Sequence, residues 1–226
     1  MNMTAPIPGN RSNNPGATIR ALRRSADMTL AELSTKTGLA ASTLSKLEAG
    51  HISPSFDKLA AISRGLGVDM AELLGNPVQP AAPVPSGSGG RRVMLRAGEG
   101  KRVETRCYSQ TYLATELLHK KMTPMIVEVR ARTMDEFRAE FGDFIRHPGE
   151  EFVYIIEGEV EFCTDLYEPM LLRAGDTLYF DSEMGHAYLK ASDSPCRIVA
   201  AASPRGSADP MVEAFVLASE KRAAAG

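Results

Sequence analysis

The sequence predicts an α + β chain of two parts: an N-terminal unit of five short helices, joined by a Pro/Gly/Ser linker to a C-terminal β-barrel. Three observations predict it. Apolar residues recur at helical spacing from residue 17 to 74, punctuated by glycines and capping residues. Residues 76–90, NPVQPAAPVPSGSGG, have linker composition, proline-stiffened first and glycine/serine-flexible after. Beyond them the pattern changes to β-branched and aromatic segments of strand length with turn residues between them. The expected organisation is a disordered 1–15, a helical domain over 16–75, a linker over 76–92 and a barrel domain over 93–226, with the core barrel at about 104–203.

Bulk composition narrows the function. The 226-residue chain is 43% hydrophobic and 24% charged, the make-up of a globular protein with a real core. No apolar run reaches the roughly 18 residues that span a bilayer. The opening MNMTAPIPGNRSNNPG lacks the basic-then-apolar order of a secretion signal. Cys107, Cys163 and Cys196 are widely spaced and form no CxxC, which suits reduced thiols, so a cytoplasmic location without a membrane partner is expected. The net charge of −2 is unevenly spread. Residues 1–76 carry eight Lys and Arg against six Asp and Glu, while residues 93–226 carry sixteen against twenty-two. Only the first segment suits a polyanionic partner.

The elements follow in order. Ile19, Leu22 and Ala26 recur at helical spacing in the first helix. Thr29 is a good N-cap for the second, Glu32 three residues on completes a capping box, and Gly38 ends it. The third runs from about Ala41 to Ala49 and stops at Gly50. Ser53 as cap and Pro54 at the first helical position open the fourth, which finishes at Gly65 and Gly67. DMAELL is a short fifth. In the second half TPMIVEVRA, EFVYIIEG, EVEFCT, GDTLYFD and CRIVAAA read as strands, MDEFRAEFGDF as one interrupting helix, and PMVEAFVLASEKRAAAG as a terminal helix.

TLAELSTKTGLAASTLSKLEAG has the helix, glycine-containing turn and second helix of a DNA-binding helix-turn-helix. With Leu44 and Leu47 facing a core, Ala41, Ser42, Ser45 and Lys46 point outward toward a major groove. The longer stretch, through IRALR, STLSKLEAG, SPSFDKL and ELL, resembles the Xre-type (phage repressor-like) family. The resemblance implies a transcriptional regulator that binds a double-stranded DNA operator. It puts Ala41, Ser42 and Lys46 at base-reading positions and Thr29 near a phosphate. Lys46 is the candidate for a guanine contact, with a phosphate contact as the alternative. It also implies an internal salt bridge between Arg23 and Glu48, and leaves Ala40 where the family usually has a hydroxyl N-cap. Arg20 and Arg24 share one face, solvated or turned to phosphate.

HPGEEFVYIIEG places His147, Glu151 and Gly158, and GDTLYFDSEMGHAYLK places Gly175, Asp181 and His186, at spacings that resemble the two motifs of the cupin barrel. In that family an HxH pair puts two imidazoles on one metal, because residues i and i+2 of a strand share a face. Here Ile145 holds the first place, and Asp181 stands where the second motif has proline. The surviving His147, Glu151 and His186 form a legitimate ligand set for one divalent ion (Zn, Fe, Mn or Ni) with open positions. Three readings are open: a metal that binds an anionic effector, direct hydrogen bonding to a small organic effector, and satisfied polar groups in a structural barrel. Tyr154, Tyr179, Tyr188 and Arg130 are further pocket candidates whose facing depends on strand register.

The joint expectation is a homodimeric regulator whose barrel senses an effector of unknown identity, each helix-turn-helix reading one half-site about 34 Å from the next. The alternatives are a metal-dependent, dioxygenase-like cupin enzyme fused to a DNA reader, and a protein-binding module such as an antitoxin. No residue is assigned a catalytic role, since GxSxG and GxxxxGK[ST] are both absent.

Overall fold

The computed structural model describes residues 15–75, 90–117 and 120–203. The expectations for residues 1–14, for most of the linker and for the terminal helix lie outside the described residues.

The helical unit consists of α1 (Gly16–Ser25), α2 (Leu30–Thr37), α3 (Ala41–Glu48), α4 (Phe56–Leu66) and α5 (Met70–Leu73). Ile19, Leu33, Leu44, Leu47, Leu59 and Ile62 are fully buried, one apolar stripe from each of the first four helices. The capping box at α2 is present: Glu32 N donates to Thr29 Oγ1 at 3.2 Å, and Thr29 N donates to the Glu32 carboxylate at 2.7 Å. Asp69 and Glu72 repeat it at α5.

The start of α4 differs from expectation. Ser55, not Ser53, is its N-cap, and Pro54 lies outside the helix. Ser55 stays extended while its carbonyl accepts the first helical bond from Leu59 N at 3.0 Å. Phe56, 8% exposed, is therefore the first helical residue, held by packing against the barrel. Gly65 lies inside α4 rather than ending it. A Cβ there would sit 2.5 Å from Thr37 Cγ2, so glycine lets α4 approach α2.

The second half holds β1 (Lys101–Glu104), β2 (Tyr108–Tyr112), β3 (Thr123–Val129), α6 (Met134–Phe141), β4 (Glu150–Glu157), β5 (Glu159–Thr164), β6 (Met170–Arg173), β7 (Thr177–Asp181), β8 (His186–Lys190) and β9 (Cys196–Ser203). They form two antiparallel sheets, ordered β1-β2-β3-β9-β4-β7 and β6-β5-β8. The five expected strands and the interrupting helix are present, and β1, β2, β6 and β8 join them. Side chains alternate along β4: Glu151, Val153 and Ile155 are turned inward, whereas Glu150, Phe152 and Tyr154 are exposed. A carboxylate thus shares a buried face with two aliphatic residues. The β4–β5 turn needs Gly158, at φ +78°, because a Cβ would overlap Pro195 O and Cys196 Sγ. All three cysteines are free and buried.

The two halves meet through α4. The Phe56 ring stacks with Tyr112 at 6.4 Å, and Lys58 Nζ lies 5.5 Å over the Phe141 ring.

Candidate metal and effector site and DNA-reading face

Two chain segments bring the histidines together. Ile145 N donates to His186 O at 3.1 Å and His186 N returns the bond to Ile145 O at 3.0 Å. His147 N donates to Ser182 O, and Ser182 Oγ to His147 O, both at 2.9 Å. This lacing sets the two imidazoles 5.3 Å apart at nearly right angles. Glu151, inward on β4, completes the group, and the three residues offer ligand atoms that all lie within 4.8 Å of one another. His147, Glu151 and His186 are 4%, 5% and 3% exposed, so they meet out of bulk water.

Their hydrogen bonds define protonation. His186 Nδ1 donates to Met184 O at 2.9 Å, which leaves its Nε2 lone pair available. Burial pushes the His186 pKa down, against the opposing charge of Glu151. Glu151 accepts from His147 Nε2 at 3.0 Å and from the Tyr188 hydroxyl at 2.7 Å. Burial alone would raise its pKa, but the bond from His147, the nearby imidazoles and the Tyr188 hydroxyl together hold it below the ordinary carboxylate value. Burial beside Glu151 keeps Tyr188 protonated as a donor, and Tyr108 OH fixes the Tyr188 main chain by donating to its carbonyl at 2.9 Å. A neutral imidazole, an ionised carboxylate and a second imidazole within reach are what a divalent cation needs. The residues fit such an ion.

Ile145 lines the same chamber and fills with hydrocarbon the place of a further ligand. Of the other pocket candidates, Tyr188 is inside. Tyr154 and Tyr179 stand on the outer sheet surface, 42% and 62% exposed. Arg130 pairs with Glu104 at 2.8 Å and Glu128 at 3.1 Å, away from the chamber. Six further wall residues carry no motif in the sequence: Tyr108, Gln110, Met125, Val127, Ala200 and, from the helical half, Phe56. The Gln110 side-chain oxygen accepts from Tyr112 OH at 3.2 Å. Nothing local marks Phe56.

On the helical unit, Ala41, Ser42, Ser45 and Lys46 lie exposed along one side of α3 while Leu44 and Leu47 are buried. Thr29 is exposed at the start of α2, with its hydroxyl engaged by Glu32. Ala40 gives α3 no side-chain cap. Arg23 grips Glu48 with Nε to Oε1 at 2.6 Å and Nη2 to Oε2 at 2.8 Å, and donates to Met28 O at 2.6 Å. That two-pronged bond ties α1 to α3 and turns the polar side of α3 outward. Arg20 and Arg24 are exposed.

The fold and the two sites define a helix-turn-helix protein with a cupin domain. The helix-turn-helix family matches residues 19–73 and the cupin domain family residues 137–201. Over 190 residues the chain is 20% identical to the HTH-type transcriptional regulator PuuR of Escherichia coli (strain K12), covering 84% of this chain and 95% of that protein. The regulator of the same name from Shigella flexneri matches equally. Among solved structures, an HTH_3 family transcriptional regulator from Vibrio cholerae aligns with a TM-score of 0.55 and 16% identity over 86% of this chain and 97% of that one, a likeness of fold. Hydroxypropylphosphonic acid epoxidase from S. wedmorenis aligns at a TM-score of 0.39 and 19% identity, over 84% of this chain and 97% of that one. Among the described residues no helix is long and apolar enough to cross a membrane.

Proposed function

We propose that the protein is a cytoplasmic, sequence-specific DNA-binding transcriptional regulator whose cupin domain reports a small molecule to its DNA reader. The observation that carries this reading is the docking of α4, part of the reader, directly on the triad: the Phe56 ring meets His147 edge-on at 4.7 Å. A state of the barrel centre therefore has a mechanical route to the reading helix through α4.

On the DNA, α3 enters the major groove with Ala41, Ser42, Ser45 and Lys46 toward the bases, and Thr29 lies against the backbone. A homodimer supplies two readers for a near-palindromic operator. Its contact is the outer face of β4 and β7, where Phe152 and Tyr179 are direct cross-strand partners and both exposed, with Tyr154 alongside.

In the barrel, His147, Glu151 and His186 hold one divalent ion, which supplies a Lewis-acidic centre when bound. Tyr188 and Met184 O orient two of the ligands. The chamber around the triad holds about 30 Å³, room for a single ion or water beside the ligands.

The test is selection of an operator from random DNA with the full chain, alongside elemental analysis of the same preparation. Enrichment of a two-half-site sequence and about one metal per chain are expected. Failure to enrich any sequence would remove the regulator reading, and metal-free protein with an unchanged effector response would remove the ion.

A further inference from the structure

Two spaces of very different size meet at one wall. The triad chamber has the volume of a single water or ion, about 30 Å³. Phe56 and His147 close it, and both also line a second cavity of about 350 Å³ between α4–α5 and the barrel. The second volume lies in the range of small-molecule sites.

We propose that the organic effector occupies this interdomain cavity rather than the barrel interior, and that it is a small organic anion. Its carboxylate or equivalent group is held by Lys120 and Arg64, and its apolar body lies against Val68, Leu74 and Tyr112. The proposal rests on the effector-sensing reading above.

The wall carries two cations, Arg64 and Lys120, and two carboxylates, so the sign rests on which of these groups are already engaged. Its two carboxylates are engaged in capping α5: Asp69 accepts from Ala71 N at 2.9 Å, and Glu72 accepts from Asp69 N at 3.0 Å. Lys120 spends one of three donors on Leu117 O at 3.0 Å. It is half-buried, and this burial lowers its pKa against the pull of Asp69 and Glu116, so its ammonium lacks solvation that an anion would supply. The Arg64 guanidinium makes no ion pair with any carboxylate among the described residues.

The walls come from both halves of the chain. A ligand there touches α4 and α5 of the reader and Tyr112, Thr115 and Lys120 of the barrel, so its binding energy depends on how the two are docked. This gives the effector direct leverage on DNA binding.

The test uses the full chain and a probe set of short straight-chain mono- and dicarboxylates, acetate to adipate, plus benzoate, with matched alkylamines as controls. Thermal unfolding is read at millimolar probe in the wild type, Lys120→Met, Arg64→Gln and His186→Ala. We expect at least one carboxylate to raise Tm in the wild type, the rise to be lost in Lys120→Met and cut in Arg64→Gln, and to persist in His186→Ala. Arg64 is exposed, so its variant keeps the test valid if Lys120→Met fails to fold. A rise that survives both cation variants and vanishes in His186→Ala places the ligand in the barrel and overturns the inference, leaving the sensor reading intact. No rise with any carboxylate, or an equal rise with the amines, also overturns it. A carboxylate that binds as expected without changing operator affinity would instead contradict the sensor reading and leave the site standing.

Discussion

Phe56, the first residue of the fourth helix of the DNA reader, meets His147 of the barrel edge to ring at 4.7 Å between centroids. One aromatic ring thus belongs to the core of one domain boundary and to the wall of the other domain's polar site. Edge-to-face geometry of this kind is favourable beyond the apolar area it buries.

Removing that ring should be felt on both sides. Phe56→Ala is expected to destabilise the chain by about 3 kcal/mol, the cost of deleting a buried phenyl ring. It should also expose His147 and His186 to diethyl pyrocarbonate. Urea unfolding and peptide mapping of the modified histidines check the two effects. Phe56→Leu, which keeps most of the volume, should show less of both.

The Arg23–Glu48 bridge is internal, with side chains 10% and 6% exposed. Glu48→Ala leaves a buried guanidinium without its partner and should cost about 3–5 kcal/mol. The double replacement Arg23→Met with Glu48→Leu should recover most of that loss in thermal unfolding followed by helical circular dichroism. A comparable loss in the double variant would mean that the pair stabilises the fold through something other than mutual compensation.

Lys46 is exposed on the outward side of α3. Lys46→Ala should relax preference at one base pair of the selected operator by about 1–3 kcal/mol. Competition binding against single-base operator variants measures it. A uniform loss across sequences, with a shallower salt dependence, would assign Lys46 to phosphate instead.

Phe152, Tyr154 and Tyr179 share an exposed outer surface of the barrel. Tyr154→Asp should convert a dimer to a monomer in sedimentation analysis and lower affinity for a two-half-site operator while leaving each half-site contact intact. A dimer that persists in this variant would place the self-association surface elsewhere.

Local rules made much of the fold legible. Thr29 and Glu32 satisfy each other within one turn, so their box could be read directly, whereas Ser53–Pro54 looked like a cap and lost to Phe56, whose anchor is the barrel. The resemblance to the cupin motifs put His147 and Glu151 in one polar group, and in the structure period two carries Glu151 inward with Val153 and Ile155. The same alternation, one residue out of phase, carries Tyr154 to solvent, which only the register settles. Gln110 sits in YSQTY, a strand whose two faces are almost equally buried and therefore show no contrast. Phe56 reaches the site across the linker and a domain boundary, a distance that no periodicity encodes.

The central claim is that the state of the barrel and of the space beside Phe56 sets affinity for DNA. The direct measurement is operator binding by the full chain with and without a saturating ligand of the sensor half, repeated in Phe56→Ala. The account predicts a change of about tenfold or more in the wild type, within the usual span of allosteric coupling, and its collapse in the variant. Equal affinities with and without ligand in the wild type would contradict it.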